Sequence, residues 1–384
     1  MKLKTAIARI SILLLFLLSG SVSLLRAQKP IDTIPDEIIT KILNSAKHLT
    51  LGFYLDTYVN IELDKKKDTS NVVPFSSNCP IRDQIRLNVA AIEAYYSAEK
   101  VRGKLALQWG DAPNLLATPD AQFIKTIRQA NFGFRIVKNL WIDFGYMFNP
   151  IGYESSWAIL NNISTVTIGG YFSPGSVLGW KLSYKFSEKF DGGLMLGNPY
   201  SLAYKQNNHM AGIVFLNYRP LKNLTVTYNN FFGNQALRNA KRKNNMLYNE
   251  FLLTWQPVKN LSLVGQIDFA FQTNSQGPDS TQIAGMSSGF IQARYSFLKN
   301  FAVTGRYEMF DDPNGFLTGA YSYDGKTTGL ATSGFVFGFE YKPVRIGYMR
   351  VEYKFIQANS GNNVFYGNTS DFMQAIVFTS GVRF

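Results

Sequence analysis

The chain carries a single cysteine, Cys79, and only two histidines, His48 and His209. One cysteine excludes an intramolecular disulfide in any compartment. Two histidines leave little for acid–base catalysis, and phosphate-cradling glycine loops and zinc-ligand spacings are missing as well. Charge is scarce, at 17% of residues against roughly 25% in ordinary soluble domains. Long apolar runs are scarce too: the one present, Ile10 to Leu18, is too short to cross a bilayer as a helix. Together these absences exclude disulfide-stapled, zinc-dependent and helical membrane proteins. They leave no constellation for an enzyme and imply no cofactor and no metal.

Aromatic residues, by contrast, are abundant: 15% of the chain, with 30 Phe and 21 Tyr. Mean hydropathy is nevertheless only −0.07, so apolar residues are interleaved with polar ones throughout. At the N-terminus Lys2, Lys4 and Arg9 precede "ISILLLFLL", and "LRA" precedes Gln28. That order of charge, apolar run and cleavage site predicts a secretory signal peptide over 1–27. Residues 28–50 then read as a short periplasmic extension. Within it Ile34, Ile38, Ile42 and Leu43 predict a helix over Pro35–His48. The formal net charge of +13 does not point to nucleic acid, which an exported chain seldom meets.

From Leu51 to Phe384 the period becomes two. In "NLSLVGQIDFAFQ" Leu261, Leu263, Ile267, Phe269 and Phe271 share one face, and Ser262, Gln266, Asp268 and Gln272 the other. "WKLSYKF" and "MRVEYKF" alternate in the same way. A soluble antiparallel sheet with one wet face has this pattern too. Two features favour a membrane barrel: strands of about nine to thirteen residues, matching a tilted crossing, and aromatic rings concentrated toward strand ends. A repeat supports it. "FRIVKNLW", "YRPLKNLT", "WQPVKNLS" and "YSFLKNFA" each read as a short turn between two long strands, with Asn suited to a left-handed turn position. Short turns near 100, 138, 189, 222, 259, 299 and 344 alternate with longer polar stretches at 63–83, 111–123, 149–176, 198–208, 233–246, 273–284, 311–332 and 359–370. The expected fold is therefore all-β, a transmembrane antiparallel up-and-down β-barrel of about 16 strands, with short periplasmic turns and long extracellular loops. A last strand ending on Phe384 fits recognition by the barrel-assembly machinery of a Gram-negative outer membrane.

The polar faces of the strands assign an inward, pore-lining set: Lys104, Arg135, Asp143, Lys181, Lys185, Asp268, Arg294, Arg306, Glu308, Glu340, Lys342, Arg350, Glu352 and Lys354. Bases outnumber acids among them, which predicts a modestly basic lumen favouring anions. The alternative is that these charges pair across neighbouring strands. Asn149–Ser176 is the candidate constriction loop, carrying Tyr153, Glu154 and Trp157; a loop lying over the rim is the other reading. "DDPNG" at Asp311–Gly315 offers calcium-friendly oxygens but is also ordinary turn chemistry.

Two stretches carry a resemblance. "LGFYLDTYVNIELDK" opens the barrel, and "YMFNPIGYESSWAILNNISTVTIGGYFSPGSVLGWKL" spans Tyr146–Leu182. With "RGKLALQWG" at Arg102–Gly110 they resemble the beta-barrel porin-2, OmpL-like, family, on Phe148, Pro150, Gly152, Tyr153, Glu154, Asn161, Asn162, Pro174 and Gly179. The family's loop is more acidic after the Glu than "ESSWAILNN", so loop function does not carry over. The resemblance implies an outer-membrane porin of unnamed substrate. Expected function is passive diffusion of small hydrophilic solutes through a barrel embedded in outer-membrane lipid, with a homotrimer as the expected assembly. The rivals are a non-conducting barrel serving as adhesin or scaffold through its loops, and a barrel enzyme built on His209.

Overall fold

A computed structural model describes residues 46–63, 71–115, 122–198, 209–236, 240–277, 280–319, 321–323, 326–359 and 361–384. The predicted signal peptide, and the helix over Pro35–His48 except for its last residues, lie outside them.

The chain forms β1 (Leu49–Glu62), β2 (Ile85–Ser97), β3 (Val101–Trp109), β4 (Ile127–Val137), β5 (Leu140–Phe148) and β6 (Ser176–Lys185). It continues with β7 (Phe190–Gly197), β8 (Ala211–Leu221), β9 (Leu224–Asn234), β10 (Asn245–Val258), β11 (Leu261–Gln272) and β12 (Ala284–Leu298). β13 (Phe301–Asp312) precedes a small hairpin, β14 (Tyr321–Tyr323) and β15 (Lys326–Thr328), which lies outside the ring. β16 (Leu330–Tyr341), β17 (Gly347–Ala358) and β18 (Phe372–Arg383) complete the chain. Each ring strand pairs antiparallel with its neighbours, and β18 pairs with β1, giving a closed barrel of 16 strands. Closure satisfies every strand edge, which a sheet in lipid requires.

The Lys–Asn repeat is the turn that builds this ring. The pairs Val137↔Leu140, Leu221↔Leu224, Val258↔Leu261 and Leu298↔Phe301 close two-residue Lys–Asn turns, and a register shift precedes each closing pair. The repeat therefore encodes a bulged hairpin, in which the bulge adds twist just before the chain reverses. None of these asparagines has a positive φ, so the left-handed preference expected of them is not why they recur. Instead their carbonyls accept amides of the next hairpin: Lys185 N to Asn139 O at 3.1 Å, Gln256 N to Asn223 O at 2.9 Å, Ser296 N to Asn260 O at 2.8 Å and Lys342 N to Asn300 O at 2.8 Å. Each turn is thus stitched to the following one. Aromatic rings gather outside this rim, with Tyr184 and Phe186 at 4.8 Å and Phe301 and Tyr341 at 4.8 Å. At the seam Phe384 stacks on Phe53 at 5.6 Å.

Strand pairing is tight where Gly179 of β6 stands between Gly145 of β5 and Gly197 of β7. A Cβ on Gly179 would press on the Leu196 carbonyl oxygen and come within 2.6 Å of Gly197 Cα. Gly179→Ala should lower stability by about 1–3 kcal/mol through overpacking, read as a lower urea midpoint in detergent.

Candidate functional site

Between β5 and β6 the segment Asn149–Gly175 turns into the barrel. Its feet are held together by Asn149, whose Nδ2 donates to Pro174 O at 2.6 Å and to Gly175 O. A 3-10 turn at Ala158–Leu160 and a short helix at Ile168–Phe172 give it local form. Asn161 folds its first half, accepting from Ser155 N and donating to Ser155 O, both at 2.8 Å. The segment touches side chains of β1, β3, β4, β9 to β13, β17 and β18, strands on opposite sides of the ring. It therefore crosses the interior rather than lying over the rim.

Charged side chains of the wall hold this segment by its backbone. Glu352 accepts from Ser164 N, and from Thr165 N and Oγ1 at 3.0 Å each. Glu308 accepts from Ile168 N at 3.1 Å, and Glu250 from Gly152 N at 2.5 Å. The cations take the carbonyls: Arg350 donates to Ala158 O and Asn161 O, both at 2.7 Å, Arg306 to Thr165 O at 2.8 Å and Lys354 to Val166 O at 3.4 Å. The segment offers one charge of its own. Glu154 pairs with Arg306 at 2.7 Å, and its second oxygen accepts from Thr167 N at 2.9 Å and Thr167 Oγ1 at 2.6 Å. Burial pushes the Glu154 carboxyl above its ordinary range against the opposing pull of Arg306 and Thr167. Glycines permit the close fit. A Cβ on Gly338 would meet Ile163 at 2.9 Å, and one on Gly169 would meet Ser288 Oγ at 2.7 Å.

Trp157 is the segment's apolar anchor. Its ring is fully buried, 4.9 Å from Tyr54, beneath the Arg128 guanidinium at 3.7 Å, with Nε1 donating to Gln108 at 3.2 Å. Tyr153, beside Phe290 at 6.1 Å, accepts from Asn162 at 3.2 Å. The β1 stretch "FYLDTYVN" turns Tyr54, Asp56, Tyr58 and Asn60 inward. Asp56 accepts from Tyr54 and Tyr348, both at 2.9 Å, and from Asn88 at 2.7 Å. Asn60 holds Cys79 O at 2.9 Å, and Asn78 reaches Ser164 O at 3.2 Å, so residues 71–83 brace the segment from behind. Cys79 is wholly buried, which pushes its thiol well above the ordinary range. It should resist maleimide in the folded barrel and label fully after heat denaturation.

The interior has two zones. Toward the loops, Met147, Met195, Ile213, Phe231, Met246, Met286, Phe310, Ile356 and Met373 of the wall form one buried apolar cluster with Val73, Ile151, Ile168 and Phe365. Toward the turns the wall is charged and partly solvated. Side-chain exposure is 50% at Lys185 and 39% at Lys342, against 0% at Arg306 and 1% at Arg350.

The charges named from the sequence divide accordingly. Lys104 faces Glu93 at 3.5 Å, Arg135 meets Glu99 at 3.1 Å, and Asp143 holds Arg102 at 2.5 Å. Lys181 stands opposite Asp143 and over the Phe215 ring, Lys185 meets Glu188 at 2.6 Å, and Glu340 gathers Arg294, Lys342 and Arg350. Arg306, Glu308, Arg350, Glu352 and Lys354 lie under the segment, and Asp268 is buried opposite Glu250, accepting from Gln266 and Ser288. Sequence reasoning missed Asp56, Glu62, Glu93, Asp191 and Glu250 on inner faces, with Arg102, Arg219 and Arg383. Arg219 pairs with Asp191, and Arg383 with Glu93 at 2.5 Å. Strand parity could have found them had it been applied to every strand, because most lie on strands that contributed nothing to the assigned set. His209 is exposed just before β8. Asp312 of "DDPNG" accepts the amides of Phe316, Leu317 and Thr318 at 3.0–3.1 Å, as a turn does.

A model of the family described as "Putative beta-barrel porin-2, OmpL-like" matches residues 48–384. The chain belongs to that family. Its fold is similar to the outer membrane channel DcaP of Acinetobacter baumannii, at TM-score 0.62 and 13% identity, covering 88% of this chain and 97% of that one. An anion-selective porin from Comamonas acidovorans matches at 0.58 and 9%, covering 88% and 99%. The trimer form of OmpT, an outer membrane protein of Vibrio cholerae, matches at 0.53 and 12%, with the same coverage. Comparison with curated protein sequences finds no match. This family member is an integral outer-membrane β-barrel, and its family and fold are those of channels.

Removing one wall carboxylate should free the segment while leaving the ring. Glu352→Leu strips the acceptor from Ser164 and Thr165 and leaves nearby cations unbalanced, a change costing about 3–5 kcal/mol at a buried ionic site. Limited proteolysis should then cut within 155–168 in the variant and spare the wild type.

Proposed function

We propose that this barrel is a porin for small hydrophilic solutes, passive in mechanism and weakly anion-preferring. The observation that carries the reading is the turn-side half of the interior. There Lys104, Lys181, Lys185, Arg219, Lys342 and Arg383 keep part of their side chains in solvent. Two acids are shared, so that cations exceed them locally: Glu340 serves three cations, and Glu93 serves Arg383 and Lys104. Partly solvated cations in a low-dielectric tube raise the local concentration of anions. The segment Asn149–Gly175 acts as the constriction, with Tyr153, Glu154 and Trp157 fixing its position.

A second reading has its own observation. The loop-side apolar cluster joins wall and loops around much of the ring, and apolar constrictions close pores by excluding water. A barrel permanently shut there would serve through its loops, as an adhesin or scaffold. Under the porin reading the chain assembles as a homotrimer and is inserted by barrel-assembly machinery that reads the strand ending in Phe384.

Planar-bilayer recording of the refolded, heat-modifiable protein separates the two. The porin reading expects discrete open steps and, in a salt gradient, a reversal potential of anion-preferring sign that weakens in Lys104→Glu/Lys342→Glu. Silence from folded protein would favour the scaffold. Cation preference would keep the pore and refute the charge assignment.

A further inference from the structure

Glu154 is the one acidic side chain on the infolded stretch Asn149–Gly175, and it occupies a formed carboxylate site. One oxygen lies 2.7 Å from Arg306 Nη1, and the other takes both Thr167 donors. Gly170 leaves the room: a Cβ there would stand 2.5 Å from the Glu154 oxygen. Arg306 is fixed in turn, donating to Thr165 O and pairing with Glu308 at 2.8 Å. The remaining holds on the segment are uncharged on its side: hydrogen bonds to its backbone and to Ser155, Trp157, Ser164 and Thr165 side chains, and the apolar packing of Ile151, Trp157 and Ile168. Only the Glu154 contact is an ion pair between segment and wall, and an anion from solution could replace it.

A route of cations leads there. Lys342 stands at the solvated turn-side end and faces Glu340 at 3.6 Å. Glu340 also holds Arg294 at 2.5 Å. Arg294 is paired in register with Thr304, and Arg306 with the neighbouring Gln292. Positive charge thus climbs from exposed Lys342, through Arg294 with its side chain 20% exposed, to Arg306 at 0%.

We propose that Arg306 is a binding site for carboxylate-bearing solutes, occupied in this state by the chain's own Glu154 as an internal stand-in. This rests on the porin reading above and adds to it a ligand class and a release step. A solute carboxylate that takes the Arg306 contact leaves Glu154 without its cation and Tyr153–Ser155 on neutral acceptors and one donor only, Tyr153 N on Gln266 and Ser155 Oγ under Arg128, so that this stretch swings from the wall more often about Gly152, which sits at φ 94°. The pore widens when its own permeant arrives.

The test is single-channel recording of the full barrel in sodium chloride, then in sodium acetate or sodium glutarate at equal ionic strength. Heat-modifiability on gels checks folding. Wild type should open rarely in chloride and several-fold more often in the carboxylate salts. Glu154→Gln, and independently Gly170→Ala, should open freely in chloride and gain nothing from carboxylate. A third variant, with residues 153–172 replaced by a short Gly-Ser linker, should conduct continuously. If that variant conducts while folded Glu154→Gln matches wild type in both salts, the proposal fails and the porin reading stands. If Glu154→Gln opens freely yet still responds to carboxylate, the anion acts elsewhere and the proposal also fails. A folded, silent linker variant would refute the porin reading itself.

Discussion

A charged side chain buried inside a barrel must be paired or neutralised, because removing it from water without partners costs several kcal/mol. In this protein the wall places Glu250, Glu308, Glu352, Arg306, Arg350 and Lys354 inside the ring, where little water reaches them. Their partners are chiefly the amides and carbonyls of Asn149–Gly175. The dependence runs both ways. A loop drawn into a tube leaves its own peptide groups unpaired, and the wall charges satisfy them. The infolded segment and the inward charges therefore stand or fall together.

From this follows the division of the interior. On the turn side, among the described residues, the charges pair with one another across strands while keeping contact with water. On the loop side methionines and aromatics of the wall close over Ile151, Ile168 and Phe365. Methionine, flexible at three torsions, suits such a junction between a regular wall and irregular loops.

Much of this was legible before any coordinates. Period-two alternation and the Lys–Asn turns fixed strands, loops and the even strand count, because both are local properties of a chain in contact with lipid on one side. Strand parity also put Lys181, Arg306 and Glu352 on a common face, and it would have added Glu93 and Glu250 had it been applied to every strand. The partner each charge would take was not legible. Whether Arg350 faces a solute or the Ala158 carbonyl depends on the path of a loop 192 residues away, and backbone groups leave no trace in side-chain patterning. The φ tolerance of Asn explains none of these four turns, whereas its carbonyl, which every residue owns, stitches the hairpins. The "FYLDTYVN" stretch carries more than the family resemblance. Its period-two row of Tyr54, Asp56, Tyr58 and Asn60 was already a sign of an inward polar face.

The central claim, that wall charges hold the segment by its backbone, is tested most directly by amide hydrogen exchange on the folded barrel in detergent. The account predicts that the amides of Gly152, Ser164, Thr165 and Ile168 exchange as slowly as those of β10 and β17. Exchange of these amides at the rate of an open, solvated loop would contradict it.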